Sequence, residues 1–438
     1  MNRFVLISSL MTLVFVSSTS YAKTDYQGKI KQLEDGLVNL QQQINQMKSD
    51  LGSNLSETNA KRLANLESYA VQLNEVLAEV QEKIEDNNSE VNRLSKEQQG
   101  RPNIGSYGTI TIGKANGQDT IIDAQSFELI ISGQPHKRIS YFTELEFERA
   151  ATVGSTRGGE VLLEQAYTDI QITSWMNFRG GVILVPFGNI ERDHFAPLRE
   201  VVSQPLTSHA IAPAAWSDNG FGFTGRFSLS DTWIADYQAY TVAGLGNNIA
   251  TNGLRASRQG FGVDNNNSKA FAGKFSLQNT SGFVVGLSYY TGAWNDSGTK
   301  DITGFNVDFD YKYKSLELLG EYTDMGVEQE IGGDTQLDGY YIRSILSLNR
   351  ILPEHFLGQD FPHAQLSFVT QYDEVTIENF FDPTIPDNFE RRITVGLRLQ
   401  PTASVMLNLN YEDANARGPD RILRGNDELW IFSLGYVF

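Results

Sequence analysis

The chain of 438 residues contains no cysteine. That excludes thiolate nucleophiles, thiolate-held zinc and disulfide staples, and it suits an oxidising compartment where a stray thiol is a liability. Long apolar runs are missing too. The longest, Phe4 to Val16, falls short of the roughly 20 residues a transmembrane helix needs. Positive charge is scarce: 35 Lys and Arg stand against 53 Asp and Glu, a net charge of −18. A nucleic-acid surface needs clustered basic residues, so that class of partner is set aside. Residues 23–100 lack proline and nearly lack aromatic residues, whereas the remainder is rich in glycine and aromatics.

What is present starts with "MNRFVLISSLMTLVFVSSTSYAKT": a basic Arg3, the apolar run, and a small-x-small exit at Ser20-Tyr21-Ala22. This reads as a secretory signal peptide over residues 1–22. No cysteine follows it, so no lipid anchor is expected. Beyond it, Leu33, Leu37, Leu40, Ile44, Met47, Leu51 and Leu55 step by fours and threes, and the stepping resumes from Leu63 to Leu94. Heptads flanked by Glu, Lys and Gln predict an α-helical coiled coil over 23–100 rather than one amphipathic helix lying on its own domain. The run of fours at 51, 55, 59 and 63 is a stutter that locally unwinds the supercoil, and Asn87 at a core position would pin register. A coiled coil needs partner chains, so an oligomer is expected.

At Gly100 and Pro102 the helical pattern stops, and from there the apolar period becomes two. Sixteen strands are predicted between residues 105 and 438, joined alternately by short turns and longer links, with 349–362 a long link on the short-turn side. Alternating short and long ends predict an up-and-down barrel. In 390–399, Ile393, Val395, Leu397 and Leu399 share one face and Arg392, Thr394 and Arg398 the other. Phe305, Val307, Phe309, Tyr311 and Tyr313 likewise oppose Asn306, Asp308, Asp310 and Lys312. A soluble β-sandwich also alternates, but strands of about ten residues match a tilted crossing of a bilayer, and aromatics gather near strand ends as interfacial girdles do. The fold class expected is an all-β transmembrane barrel of about 16 antiparallel strands over 101–438, preceded by the coiled coil. The terminal "ELWIFSLGYVF" places Trp430, Phe432, Leu434, Tyr436 and Phe438 on one face. A closed barrel leaves no unpaired edge in hydrocarbon, so the chain end can close the sheet without fraying. A last strand ending in Phe438 resembles the signal that the bacterial barrel assembly machinery reads.

The stretch "LLEQAYTDIQITSWMNFRGGVILVPFG" at 162–188 resembles the phosphate-selective porin O and P family. Glu164, Ala166 and Tyr167 match its "EAY" strand, with Gln165 inserted, and Gly181, Pro186, Phe187 and Gly188 match its second strand. The resemblance implies a sixteen-stranded trimeric porin of the bacterial outer membrane, and some members also carry an N-terminal coiled coil. One departure stands out: residues 101–438 hold 25 Lys and Arg against 40 Asp and Glu, and only seven of the 25 are lysines. The lysine-rich lining of anion-selective members is therefore not carried over, nor is phosphate selectivity.

Sixteen strands are expected to enclose a water-filled lumen. The 34-residue segment 186–219 follows the fifth strand, and a loop of that length inside a compact barrel is expected to line the constriction rather than cap the rim or contact another subunit. It carries Glu191, Arg192, Asp193, Arg199 and Glu200. On the wall, Arg179, Arg392 and Arg398 are expected to face Glu144, Glu146 and Glu148 across the lumen, ordering water and orienting dipolar solutes. "GFGFTG" at 220–225 opens a strand with no helix behind it, so it is not a dinucleotide loop. "DNNNS" at 264–268 lacks the glycine and closing acid of a calcium loop. His136, His194, His209, His355 and His363 have no metal-site spacing and are expected to be loop residues. No catalytic residue, cofactor or metal is expected. The reading is a diffusion porin contacting outer-membrane lipid, as a homotrimer, with the coiled coil in the periplasm. Two others stay open: a tether to peptidoglycan with the barrel as anchor only, and a soluble secreted β-protein on a stalk.

Overall fold

The computed structural model describes residues 101–149, 159–353, 355–378, 386–419, Ile422 and 427–438, with Val38, Gln42, Gln46 and Ser49, which are helical. The expected signal segment and the rest of the expected coiled coil lie outside the described residues. The chain divides into two units, Met1–Arg101 and Pro102–Phe438.

The second unit is one closed antiparallel barrel of sixteen strands, each paired with its sequence neighbours. They are β1 (Asn103–Ala115), β2 (Ile121–His136), β3 (Ile139–Glu148), β4 (Glu160–Thr173), β5 (Met176–Leu184), β6 (Ser217–Ser228), β7 (Trp233–Val242) and β8 (Ala270–Asn279). The second half comprises β9 (Phe283–Ala293), β10 (Asp301–Tyr313), β11 (Leu316–Val327), β12 (Thr335–Ser347), β13 (Gln365–Ile377), β14 (Asn388–Thr402), β15 (Val405–Arg417) and β16 (Asp427–Val437). Closure runs from Tyr107↔Val437 to Ala115↔Leu429 between β1 and β16. Phe438 exchanges backbone hydrogen bonds with Ser106 just beyond that register, so the terminal strand is pinned along its length.

One end of the barrel carries the short turns, and the link 348–364 is the long exception there. The other end carries the long segments 185–216 and 243–269. The two faces separate as the period of two requires. Trp430 is 57% exposed on the outside while Ser433 and Leu429 are buried inside. Phe305, Val307, Tyr311 and Tyr313 are exposed outward, whereas Asn306 and Asp308 are buried inward. Outward aromatics pack on one another, as Tyr411 does on Trp430 with ring centroids 5.0 Å apart and Tyr311 on Tyr313. An apolar outer face flanked by aromatics fits hydrocarbon on the outside.

The interior departs from the expected water-filled lumen. At the long-loop end, inward Ile183, Tyr240, Val242, Ala270, Ala272, Tyr290, Ile302, Met325, Val327, Leu337, Val375 and Ile377 join loop residues Phe187, Leu206, Ile211, Trp216, Leu245 and Leu254 in one buried cluster. Trp216 sits edge-on to Phe187 at 6.0 Å and against Tyr290 at 4.8 Å. The physical reason is the apolar content of the two long segments: brought inside, they remove their own apolar surface and that of the wall from water.

Candidate functional site

The segment 185–216 leaves β5 and threads the lumen. Gly188 has φ +67, and a Cβ there would meet Glu321 and Asn306 at under 3 Å, so glycine lets the chain turn against the wall. The path then makes a short helix α1 (Ile190–His194), a 3-10 turn (Ala196–Leu198) and a second helix α2 (Leu206–Ala210). The wall holds the chain at each stage. Gly188 N donates to Ser288 Oγ at 3.1 Å and Asn189 N to Glu321 Oε2 at 2.9 Å. Pro197 lies against Gly435 of β16, where a Cβ would come within 2.9 Å. Farther along, Val202 N donates to Asn410 Oδ1 and Leu206 N to Asp373 Oδ1. Backbone amides that would be orphaned inside a barrel thus find partners on β9, β11, β13 and β15.

A belt of charge runs through the middle of the lumen. Arg192 pairs with Glu200 at 2.7 Å, Glu317 at 2.7 Å and Asp310 at 2.9 Å. Arg343 on β12 is fully buried and bonds Glu200 at 2.8 Å and Gln371 at 2.7 Å, with Asp193 at 3.6 Å. Arg392 holds Asp373 at 2.7 Å and donates to the Gln204 carbonyl at 2.6 Å, with Glu412 at 3.7 Å. Arg398 donates to the carbonyls of Leu198 at 3.1 Å and of Arg199. Arg199 reaches the Asp193 carbonyl at 3.3 Å, and burial brings its guanidinium down to about 10. Burial raises the Asp193 carboxyl despite Arg343 nearby. Burial acts the same way on Glu200, but Arg192 and Arg343 outweigh it and hold that carboxyl well below its ordinary value.

On the opposite wall, Glu144 is 0% exposed. Its carboxylate accepts from Tyr107 Oη at 2.8 Å and Gln165 Nε2 at 2.7 Å. His194 Nε2 lies 3.1 Å from Glu144 and 3.0 Å from Glu164. Burial opposes a charged imidazole, yet the two carboxylates outweigh it and hold His194 well above its ordinary value. A register shift makes this possible: Glu144 pairs with Gln165 but Leu145 with Leu163, so Glu164 is the extra residue of a bulge. Both Glu164 and Gln165 are buried, since a bulge re-aims a side chain that strict alternation would send to the other face. Glu128, Glu146 and Glu164 group their carboxylate oxygens within 4.8 Å of one another.

The expected site residues therefore divide. Arg192, Asp193, Arg199, Glu200, Arg392 and Arg398 are brought together where the loop meets the wall, and Glu191 lies on the backbone of α1. Glu144 meets the loop at His194 on the other side, Glu146 groups with Glu128 and Glu164 of the wall, and Glu148 pairs with Arg149 at 3.2 Å near the strand end. Arg179 stands apart, bonding Asp169 at 2.7 Å and stacking on the Tyr167 ring at 3.8 Å. The expected rows of arginine and glutamate facing each other across water are corrected: Glu144, Arg392 and Arg398 are buried against the loop that passes between them. His194, expected to be a loop residue, does lie in the segment between β5 and β6, at the end of α1, and it meets two wall carboxylates there. Sequence reasoning missed Arg343, Asp373 and Glu321. Period-two counting from exposed Ile342 and Phe368 places Arg343 and Asp373 on inward faces, and that signal could have found them.

A wetter wall remains at the short-turn end. Arg226 and Asp236, 52% and 41% exposed in their side chains, pair at 3.2 Å. Lys312 lies 3.2 Å from Glu317, and Arg179 and Asp169 keep about a fifth of their side-chain surface, 19% and 20%.

No family model matches the chain. An uncharacterized protein of Aquifex aeolicus is 30% identical over 202 residues, 44% of this chain and 45% of that protein's length. Among solved structures, Salmonella typhi OmpF in complex with daunomycin superposes with a TM-score of 0.55 at 12% identity over 78% of this chain and 99% of that one. The outer membrane channel DcaP of Acinetobacter baumannii gives 0.53 at 11% identity over 77% and 97%. An anion-selective porin from Comamonas acidovorans gives 0.52 at 11% identity over 77% and 100%. The barrel thus has the fold of bacterial outer-membrane porins. None of these likenesses singles out the phosphate-selective O and P family.

Proposed function

We propose that the protein is an outer-membrane channel for passive diffusion of small polar or charged solutes, with residues 186–216 as its constriction. It needs no cofactor and turns over no substrate. The observation that carries this reading is the loop threaded through a porin-fold barrel and bonded to charged residues on β4, β11, β12 and β14. Solute enters the wet, charge-paired vestibule at the short-turn end and meets the belt of Arg192, Glu200 and Arg343. The apolar cluster beyond makes the resting pore narrow, so flow depends on displacement of the loop. Arg179, Arg192, Asp193, Arg199, Glu200, Arg392, Arg398, Glu144, Glu146 and Glu148 act here as determinants of pore width and charge, with Glu191 beside them.

The remaining parts of the reading follow from the sequence. The signal peptide exports the chain, Phe438 presents the last strand to the barrel assembly machinery, and the barrel assembles as a homotrimer. Residues 23–100 form a periplasmic coiled coil that holds the trimer or reaches toward peptidoglycan. A second reading draws on the packed interior: a barrel that only anchors the coiled coil. Single-channel recording of purified full-length protein in a planar bilayer separates them. Stepwise conductance in groups of three supports the trimeric channel, and the sign of the reversal potential gives its ion preference. Folded, inserted protein without conductance overturns the channel and leaves the anchor.

A further inference from the structure

We propose that Glu144, Glu164 and His194 form a binding site for one divalent transition-metal ion of the zinc class, which latches the lumen loop to strands β3 and β4. Nothing in this depends on whether the barrel conducts.

Three observations converge. His194 Nε2 stands 3.0 Å from Glu164 and 3.1 Å from Glu144. A single ring nitrogen carries at most one hydrogen, so it cannot serve two carboxylates equally. A tetrahedral ion about 2.1 Å from one imidazole nitrogen and from each of two carboxylate oxygens would set neighbouring donors about 3.4 Å apart, a few tenths of an ångström wider than the spacings here. The three donor atoms all lie within 4.8 Å of one another, so a small outward shift of each admits a common ion.

The donors are also held as ligands usually are. Tyr107 and Gln165 each donate to Glu144 and fix its orientation. That is the outer-shell support expected around a metal-bound carboxylate. The bulge between β3 and β4 brings Glu164 to His194 and Gln165 to Glu144 at once, so ligand and support come from adjacent residues.

The third observation is a crowd of carboxyl groups with one buried oxygen left over. Glu128 is 97% buried, since only 3% of its surface is exposed, and its Oε2 has no hydrogen-bond partner. That carboxylate is aimed at Glu146 and Glu164, within the 4.8 Å grouping. Carboxyl groups gathered around one imidazole, with one oxygen left unpartnered, are costly to bury as ions. A divalent cation offsets that cost. Imidazole with carboxylates suits zinc, iron, nickel or manganese rather than calcium or magnesium, which take oxygen ligands alone.

The test uses the full chain, folded in the presence of ZnCl2, dialysed and analysed for metal content and for Zn2+ affinity by competition with a chelator. Wild-type protein is expected to keep one zinc per chain. Glu164→Gln and His194→Gln are expected to bind at least about ten-fold more weakly, while His363→Gln, altered in an exposed residue near the short-turn end, binds as wild type does. Absence of stoichiometric zinc in folded wild type overturns the proposal, as does equal retention in Glu164→Gln and His194→Gln. Should those variants not fold, wild-type protein loaded with Cu2+ decides the matter by electron paramagnetic resonance. Superhyperfine splitting from one nitrogen is expected, and its absence overturns the site.

Discussion

The same strands build two unlike halves of the lumen. Along β12, Leu337 near the long loops is apolar, Arg343 in the middle is charged, and both are fully buried. Across the barrel, β7 offers Tyr240 and Val242 to the apolar cluster at its loop end and Asp236 to water at its turn end. The difference teaches that an inward position in this barrel is chosen for what the loop brings to it. Where the loop brings Leu206, Ile211 and Trp216, the wall is apolar. Where it brings Arg192, Asp193 and Glu200, the wall answers with Arg343, Glu317 and Asp310. Where it brings nothing, ion pairs stand in solvent.

The largest effect is expected in the middle belt. Arg343→Met leaves Glu200 and Asp193 without their buried guanidinium, and breaking one side of a buried pair costs about 3–5 kcal/mol. The loss should fall on loop docking before barrel closure, because Arg343 touches the loop whereas closure rests on the β1–β16 ladder. Protease cleavage within 186–216 at otherwise native conditions, with the barrel's heat resistance largely kept, is the expected outcome. Adding Glu200→Gln should recover part of the loss, since the two residues are coupled. Equal protection of the loop in wild type and Arg343→Met would show that the belt does not hold it.

Acidification probes the same contacts more gently, because it removes carboxylate charge and leaves the side chains in place. The Glu200 carboxyl is held below its ordinary value by Arg192 and Arg343. Its stabilisation is therefore complete above the unfolded value of about 4.3 and is lost as pH falls below it toward the depressed folded value. Loop protection against an acid-active protease should decline below about pH 4, and the decline should be shallower in Glu200→Gln.

Much of this was legible in the sequence, and the boundary is instructive. The strands follow from period two, the loop from its length, and the outward faces of 305–313 and 390–399 from alternation alone. The belt residues Arg392 and Arg398 follow from the same rule. What alternation could not show is where a loop of no period rests. His194 meets Glu144 only because α1 crosses to the β3 side, and Arg343 meets Glu200 only because the chain then returns to β12. The inserted Gln165 was visible as a break in a motif, yet its consequence, Glu164 turned inward, needs the pairing register. The packed half was hidden for a related reason: apolar residues on inward faces look like errors of alternation until the loop that covers them is in place.

In the apolar half the expected effect is smaller and purely one of packing. Ile211 is fully buried among loop and wall, and Ile211→Val removes one methylene, costing about 0.5–1.5 kcal/mol. Loop protection should fall by that amount with no change in its dependence on pH, which separates packing from charge. A pH-dependent response in this variant would mean that the two halves are not independent.

The wet end should respond least in stability and most selectively in permeation. Arg226 and Asp236 sit 3.2 Å apart with about half of each side chain in solvent, 52% and 41%, and such exposed pairs contribute about 0–1 kcal/mol. Arg226→Ala should therefore leave thermal unfolding within about 0.5 kcal/mol of wild type and leave loop protection unchanged. It removes a positive charge from a wall that solutes pass, so the reversal potential should move toward cations, and the shift should shrink as salt rises and screening shortens. The comparison with Arg343→Met is the sharpest available: both remove one inward guanidinium, one from a site covered by the loop and one from a site facing water. If Arg226→Ala loosened the loop as Arg343→Met is expected to, cover by the loop would not be what distinguishes the two halves.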